Sequence, residues 1–251
     1  MSEINAKDVM SLRNKTGLPM MDCKKALMEA NGDVEAAEEI IRKKLKGKMD
    51  ARTDRAAGEG RVVITVAPDG KAASIIEIRA ETDFTAKNEQ FTAMADKVAK
   101  MALEAAAGEV AATAPMTAEI DRIRISTGEN ISYARGHKLA GGAGSKFGTY
   151  VHHDGKTGVV VQVEGDASDE VLKDICMHIM GATTRAEGVS IDTIPAAIVE
   201  KERKFNVEQA MESGKPREIA EKMVEGKMRK FFEDVALLEQ PFVKDPEKKI
   251  K

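Results

Sequence analysis

The spacing of apolar residues changes along this chain, and that change limits its fold more than any other feature. Val34, Ala37, Ile41 and Leu45 recur at three and four residues, the spacing of one helix face. From Gly60 the spacing becomes two, with Val62, Ile64 and Val66 in alternation. Pro68-Asp69-Gly70-Lys71 then reads as a turn, and Ala72 to Ala80 continues as a strand with Ile75, Ile76 and Ile78. The theme repeats further on. Lys146 to His152 is strand-like, His153-Asp154-Gly155-Lys156 is a turn, and Gly158 to Val163 is an apolar strand before a helix at about Ser168 to Met180. Helical spacing returns from about Ala196. Helices flanking hairpin-built sheets predict an α+β chain with antiparallel sheets and two related α+β core subdomains.

The expected division is residues 1–55, 56–142 and 143–251. The first part reads as three short helices and a linker. Asn5 caps the first helix, which turns Val9 and Leu12 inward, and Gly17-Leu18-Pro19 breaks it. The second, from about Asp22 to Ala30, puts Cys23, Ala26 and Leu27 on one face. Asn31-Gly32 ends it by a left-handed turn, and Asp33 caps the third. Met20 and Met21 precede the second helix, where a loop exposes them as an adaptable contact or lets one join the core. Arg42 to Arg55 is charged and lacks interleaved aromatics, so it reads as a solvated helix end and linker rather than a nucleic-acid patch.

In the second part, Glu81-Thr82-Asp83-Phe84-Thr85-Ala86-Lys87 lies between a strand and a helix capped by Asn88, whose inner face is Phe91, Met94, Val98 and Met101. A turn there holds side chains out on a rigid base. Pattern leaves two readings of Phe84: tucked into the core with Asp83 satisfying free backbone N–H groups, or displayed. A short helix at about Thr117 to Ser126 and an extended run from Glu129 to Leu139 follow. In the third part, helices from about Ala196 to Met211 and from Pro216 to Leu238 fold back through Ser213-Gly214-Lys215 as a helical hairpin with a polar seam.

Composition excludes several function classes. With 42% hydrophobic residues, 32% charged, no Trp and a net charge of −3, the chain reads as soluble and globular, with no direct nucleic-acid role. Cys23 and Cys176 are far apart in helical patterns, as reduced core cysteines of a cytoplasmic protein are. No secretory or transit segment and no membrane span is expected.

Enzyme constellations are weak. His152-His153-Asp154 with Cys176 or His178 is a poor metal set, since His152 and His153 would face opposite sides of a strand and Cys176 and His178 do not share a helix face. Gly141-Gly142-Ala143-Gly144-Ser145-Lys146 lacks phosphate-loop spacing and reads as a connector. No cofactor, metal or catalytic constellation is expected.

Four blocks carry a resemblance. Thr82-Asp83-Phe84-x-Ala86-Lys87-Asn88-x-x-Phe91 is the first. Leu12-Arg13-x-x-Thr16-Gly17-x-x-Met20-Met21-Asp22-Cys23-Lys24-Lys25-Ala26-Leu27 with Glu29-Ala30-Asn31-Gly32-Asp33 is the second. Ser213-Gly214-Lys215-Pro216 through Ile219 to Gly226, and Leu238-x-Gln240-Pro241-Phe242-Val243, complete the set. Taken in chain order they resemble the elongation factor Ts family, nucleotide exchange factors of elongation factor Tu. The resemblance implies a ubiquitin-associated-like three-helix module, a projecting coiled-coil arm, and a guanine nucleotide exchange factor that binds elongation factor Tu, GDP-bound and nucleotide-free, and releases GDP. It implies partner-binding roles for Thr82, Asp83, Phe84 and Thr85 in displacing the partner's Mg²⁺, and for Leu12, Arg13, Met20 and Met21. His152 matches a Tyr-x-His pattern with Tyr150, with His153 as the adjacent alternative. A homodimer through the C-terminal subdomain is left open. The chain ends earlier than the longer family pattern, which continues through a further helix and closing strand. The runner-up reading is a non-catalytic adaptor or chaperone-like binding module.

Overall fold

The computed structural model describes residues 4–50, 53–212, 214 and 216–251. Helices and antiparallel sheets alternate, as the change of apolar period predicts. The chain divides into two compact units, one to Asp166 and one from Ala167.

The first unit opens with α1 (Ala6–Thr16), α2 (Met20–Glu29) and α3 (Val34–Asp50). Their ends are set by side chains and glycine. The Asn5 carboxamide oxygen accepts the Lys7 N–H at 2.9 Å, and Asp33 accepts those of Glu35 and Ala36 at 2.9 and 3.0 Å. Gly17 ends α1 at φ 69°, and a Cβ there would come within 2.9 Å of Ser126 Cβ, so both backbone and space call for glycine. Leu12, Leu27, Cys23, Ala37 and Ile41 form the buried cluster between the helices. α2 begins at Met20, earlier than expected, because Pro19 supplies an extended entry and the first helical turn tolerates it.

A four-stranded antiparallel sheet follows, ordered β1 (Glu59–Val66), β2 (Ala72–Ala80), β4 (Ser132–Ala140), β3 (Gly108–Glu109). Alternation on β2 sends Ile76, Ile78 and Ala80 to one face. There they meet α5 (Glu89–Ala102), whose Phe91, Met94 and Val98 fill the core, and α6 (Ala114–Thr127), which adds Met116 and Ile120. Alanines at 95, 99 and 102 let α5 approach the sheet closely, and Ser74 is buried with its hydroxyl donating to Ala99 C=O at 2.7 Å. α6 serves two cores. Ile120 and Ile123 pack on the sheet side, while Ile125 packs against the three-helix cluster.

The hairpin β5 (Ser145–Val151) and β6 (Gly158–Glu164) belongs to this unit, where the sequence reading put a boundary at 142/143. Gly158 explains its placement. A Cβ there would lie 2.7 Å from Val62 and 3.3 Å from Ile64, so only glycine lets the hairpin lie on that face of the sheet. The Val62 N–H on the free edge of β1 also donates to Gly155 C=O at 2.7 Å. Gly141 to Gly144 connects β4 to β5.

In the second unit, α7 (Asp169–Gly181) buries Leu172, Cys176 and His178. α8 (Ala196–Glu212) and α9 (Arg217–Val235) pair through Ala210, Val224 and Met228 and, nearer the base, through Val199, Phe231 and Phe232. Ser213 and Lys215 of the expected joining turn lie outside the described residues. A two-stranded hairpin, β7 (Pro241–Phe242) and β8 (Asp245–Lys249), closes the chain. His178 ties it to α7. The Val243 N–H donates to His178 Nδ1 at 3.2 Å, so Nε2 carries the proton and donates to the Gln240 carbonyl at 3.0 Å. The Gln240 amide then donates to Thr184 and Asp234 C=O at 2.9 and 2.6 Å, leaving this buried polar node satisfied. No helix among the described residues is long and apolar enough to cross a membrane.

Phe91 is the largest fully buried side chain of the sheet–helix core. Phe91→Ala is expected to cost ~3–5 kcal/mol. In a unit of this size that is a fall in Tm of roughly 6–20 °C, measured by thermal circular dichroism.

Candidate functional site

The site starts where β2 ends. Thr82 is extended and caps α4 (Asp83–Lys87), a helix of five residues, its hydroxyl oxygen accepting the Thr85 N–H at 3.3 Å. The sequence reading expected a turn here. The local hydrogen bonds make it a short helix, and so short a helix cannot hold itself in water. Its support comes from Glu129, between α6 and β4. Glu129 Oε1 accepts the hydroxyls of Thr82 and Thr85, each at 2.7 Å, and Oε2 accepts the Thr82 N–H at 3.2 Å. Thr85 and Ala86 face inward and are buried. Asn88 finishes the anchorage, donating its N–H to Thr85 C=O at 3.1 Å while its side chain accepts from Gln90 at 2.8 Å to start α5.

Held from both ends, α4 presents Phe84 outward, 84% exposed. Of the two sequence readings of Phe84, the structure has the displayed one. Asp83 lies in the first turn and pairs with Lys87 at 2.7 Å, one turn on. That hydrogen bond holds the Asp83 carboxyl below the usual aspartate range.

A second turn lies beside α4. The β5–β6 connection is closed by the Gly155 N–H donating to His152 C=O at 2.8 Å and by Asp154, which accepts the Lys156 N–H at 2.8 Å. That backbone bond and the His152 ring keep the Asp154 carboxyl below its usual range. His152 Nδ1 lies 3.0 Å from Asp154, and the rings of His152 and His153 are 4.1 Å apart. They were expected on opposite strand faces, but β5 ends at Val151 and both occupy the turn, where strand alternation does not apply. His153 and Asp154 line a groove with Asp83, Ala86 and Lys87 of α4 and with Glu59 and Arg61 of β1. Lys156 crosses to Glu59 at 2.6 Å. Among the described residues, no group of three or more His, Cys, Asp or Glu could hold a metal ion.

The other residues singled out in the sequence lie in the three-helix module. Leu12 is fully buried and shapes that module from inside, with no surface to offer. Arg13 is exposed on α1. Met20 and Met21 are 42% and 63% exposed, on the first turn of α2 rather than in a loop. Met28, seven residues after Met21 and so on the same helix face, is 55% exposed and was missed. That spacing was available in the sequence. Glu129 was missed as well, and no local pattern could have found it, because its partners lie more than 40 residues away.

A model of the family described as Elongation factor TS matches residues 81–251. The Elongation factor Ts of Thioalkalivibrio sulfidiphilus is 42% identical over 254 residues, covering 98% of this chain and 85% of that protein. That of Thiobacillus denitrificans is 43% identical over 98% of this chain and 84% of its own length. That of Sodalis glossinidius is 42% identical over 100% of this chain and 86% of its own length. Similarity at this level, running through both units and through the block that carries Phe84, means that the chain belongs to the elongation factor Ts family.

Proposed function

We infer that this chain is a guanine nucleotide exchange factor of translation elongation that works in the cytoplasm. It binds elongation factor Tu, disturbs the region that holds Mg²⁺ and phosphate, and so promotes release of GDP. One observation carries the reading: within the Thr-Asp-Phe block of a family member, Phe84 stands 84% exposed on an anchored helix of five residues. Burying such a side chain on a partner is worth about 1.5–3 kcal/mol, and a pre-anchored helix gives up little of that to ordering.

The mechanism is linkage. A factor that binds the nucleotide-free partner better than the loaded one weakens nucleotide binding by the same factor. Phe84 acts as an apolar wedge beside the partner's switch region, with Asp83, Thr82 and Thr85 holding the wedge in line. Displacing that region loosens the Mg²⁺ that neutralises the β-phosphate, and GDP follows. A histidine of the β5–β6 turn adds a polar contact next to the wedge. His152 fits the Tyr-x-His pattern, and its pairing with Asp154 orients its ring, while His153 faces the groove. No bond is made or broken in the partner or the nucleotide, so the activity needs no cofactor.

Helices α1–α3 serve as the ubiquitin-associated-like docking module, with Arg13, Met20 and Met21 as contacts and Leu12 as an internal support. Methionines fit an uneven partner surface because their side chains are unbranched and polarizable. α8 and α9 form the coiled-coil arm.

Stopped-flow release of labelled GDP from elongation factor Tu tests the wedge. Phe84→Ala is expected to slow release roughly thirtyfold, as losing a buried interface anchor of ~2 kcal/mol would. Its Tm should stay close to the wild-type value, since Phe84 is 84% exposed. An early melt, or release at the wild-type rate, would show that the functional centre lies elsewhere. Equal binding of the wild-type chain to loaded and nucleotide-free partner would favour a plain adaptor.

The Met20→Ala/Met21→Ala double variant should weaken partner affinity about tenfold, mostly through faster dissociation measured by surface plasmon resonance. The rate at saturating exchange factor should be nearly unchanged. Unaltered dissociation would remove these methionines from the interface.

A further inference from the structure

Glu129 and Asn130 join separate pieces of the first unit through their side chains. Glu129 takes both threonine hydroxyls and the Thr82 N–H at the start of α4. Asn130 is only 6% exposed, and its amide donates to Thr53 C=O at 3.0 Å and Arg55 C=O at 2.8 Å. Its backbone N–H donates to Glu81 Oε1 at 2.7 Å, and the other Glu81 oxygen lies 3.6 Å from Arg55. The pair therefore grips α4 on one side and the stretch before β1 on the other.

The pair itself is well fixed. Gly128 ends α6 at φ 72°, and the Glu129 N–H donates to the Thr127 hydroxyl at 3.3 Å. Ile131, the next residue, is 1% exposed in the core. Bonds from hydroxyls to a carboxylate are among the stronger neutral-to-charged hydrogen bonds. α4 is too short to fix its own orientation, and of its supports, which include the buried Ala86 and the Asn88 bond to Thr85, these fix its first turn. Remove the carboxylate and Phe84 stays at the surface but loses its aim.

We propose that Glu129 is a positioning residue for nucleotide exchange: it holds Thr82 and Thr85 so that Phe84 meets the partner in one orientation. This rests on the reading of Phe84 as the wedge. Glu129 acts through α4, to which its carboxylate is bound by Thr82 and Thr85.

The test is a double-mutant cycle on the full chain, read by GDP release from elongation factor Tu at saturating exchange factor and by thermal melts. Glu129→Ala should slow release about tenfold, the effect of losing a charge-assisted hydrogen bond. In the Phe84→Ala background the same change should slow it no further, because there is no wedge left to aim. Glu129→Gln keeps the shape and one acceptor oxygen for the hydroxyls but sets an amide NH2 against the Thr82 N–H, and should recover only part of the rate. A merely structural role would lower the Tm and slow release equally in both backgrounds, and that result overturns the proposal. Should Glu129→Ala not fold, Thr85→Val removes one donor hydroxyl at similar volume and enters the cycle with the same two outcomes. A Phe84→Ala chain that releases GDP at the wild-type rate overturns the wedge and the proposal together. Equal slowing in both backgrounds overturns the role of Glu129 alone.

Discussion

A helix of five residues has almost no stability of its own, and the candidate site is built around that constraint. Helix nucleation fixes several dihedrals for one hydrogen bond, so the turn must be held from outside. Here one carboxylate, Glu129, accepts two hydroxyls and one N–H, and Asn88 closes the far end while opening α5. The inner residues of α4, Thr85 and Ala86, are small enough to pack close. Everything that fixes α4 is therefore polar or small, and the one large apolar side chain it carries is free to face outward. An exposed phenylalanine in a mobile loop would lose much of its binding energy to ordering. On this support that loss is small.

The same economy links the three-helix module to the sheet. α6 is a single element whose Ile120 and Ile123 pack on one core and whose Ile125 packs on the other. Its end passes directly into Glu129 and Asn130. The close approach of Gly17 to Ser126 lets α1 sit against that end. A larger residue at Gly17 would strain both the αL cap and this contact, so one glycine serves local and tertiary structure together.

The second unit is organised by a buried histidine rather than by apolar area alone. His178 and Gln240 each spend their polar atoms on backbone groups or on each other. Such a node is costly if half-made and specific when complete. It accounts for the position of the C-terminal hairpin, whose strands are too short to be stable as an isolated pair.

Local chemistry made much of this legible in advance. The caps at Asn5, Asp33 and Asn88, the Asn31-Gly32 turn, the two hairpins and the apolar face of α5 all depend on residues within a few positions of one another, so spacing alone determined them. Two histidines in one turn, the short helix at Asp83 and the early start of α2 departed from the reading by a residue or two, where strand, turn and helix ends compete closely. Pattern also left Phe84 undecided between core and surface, because its fate depends on whether a partner side chain lies over it. Only the tertiary structure decided that: Phe91 reaches the core, Phe84 does not, and Glu129, more than 40 residues away in the chain, holds the turn that displays it. Hydrogen-bond partners so distant in sequence leave no periodicity behind, which is why the spacing of residues placed the helix and strand around Phe84 and the fold alone supplied what holds α4 between them.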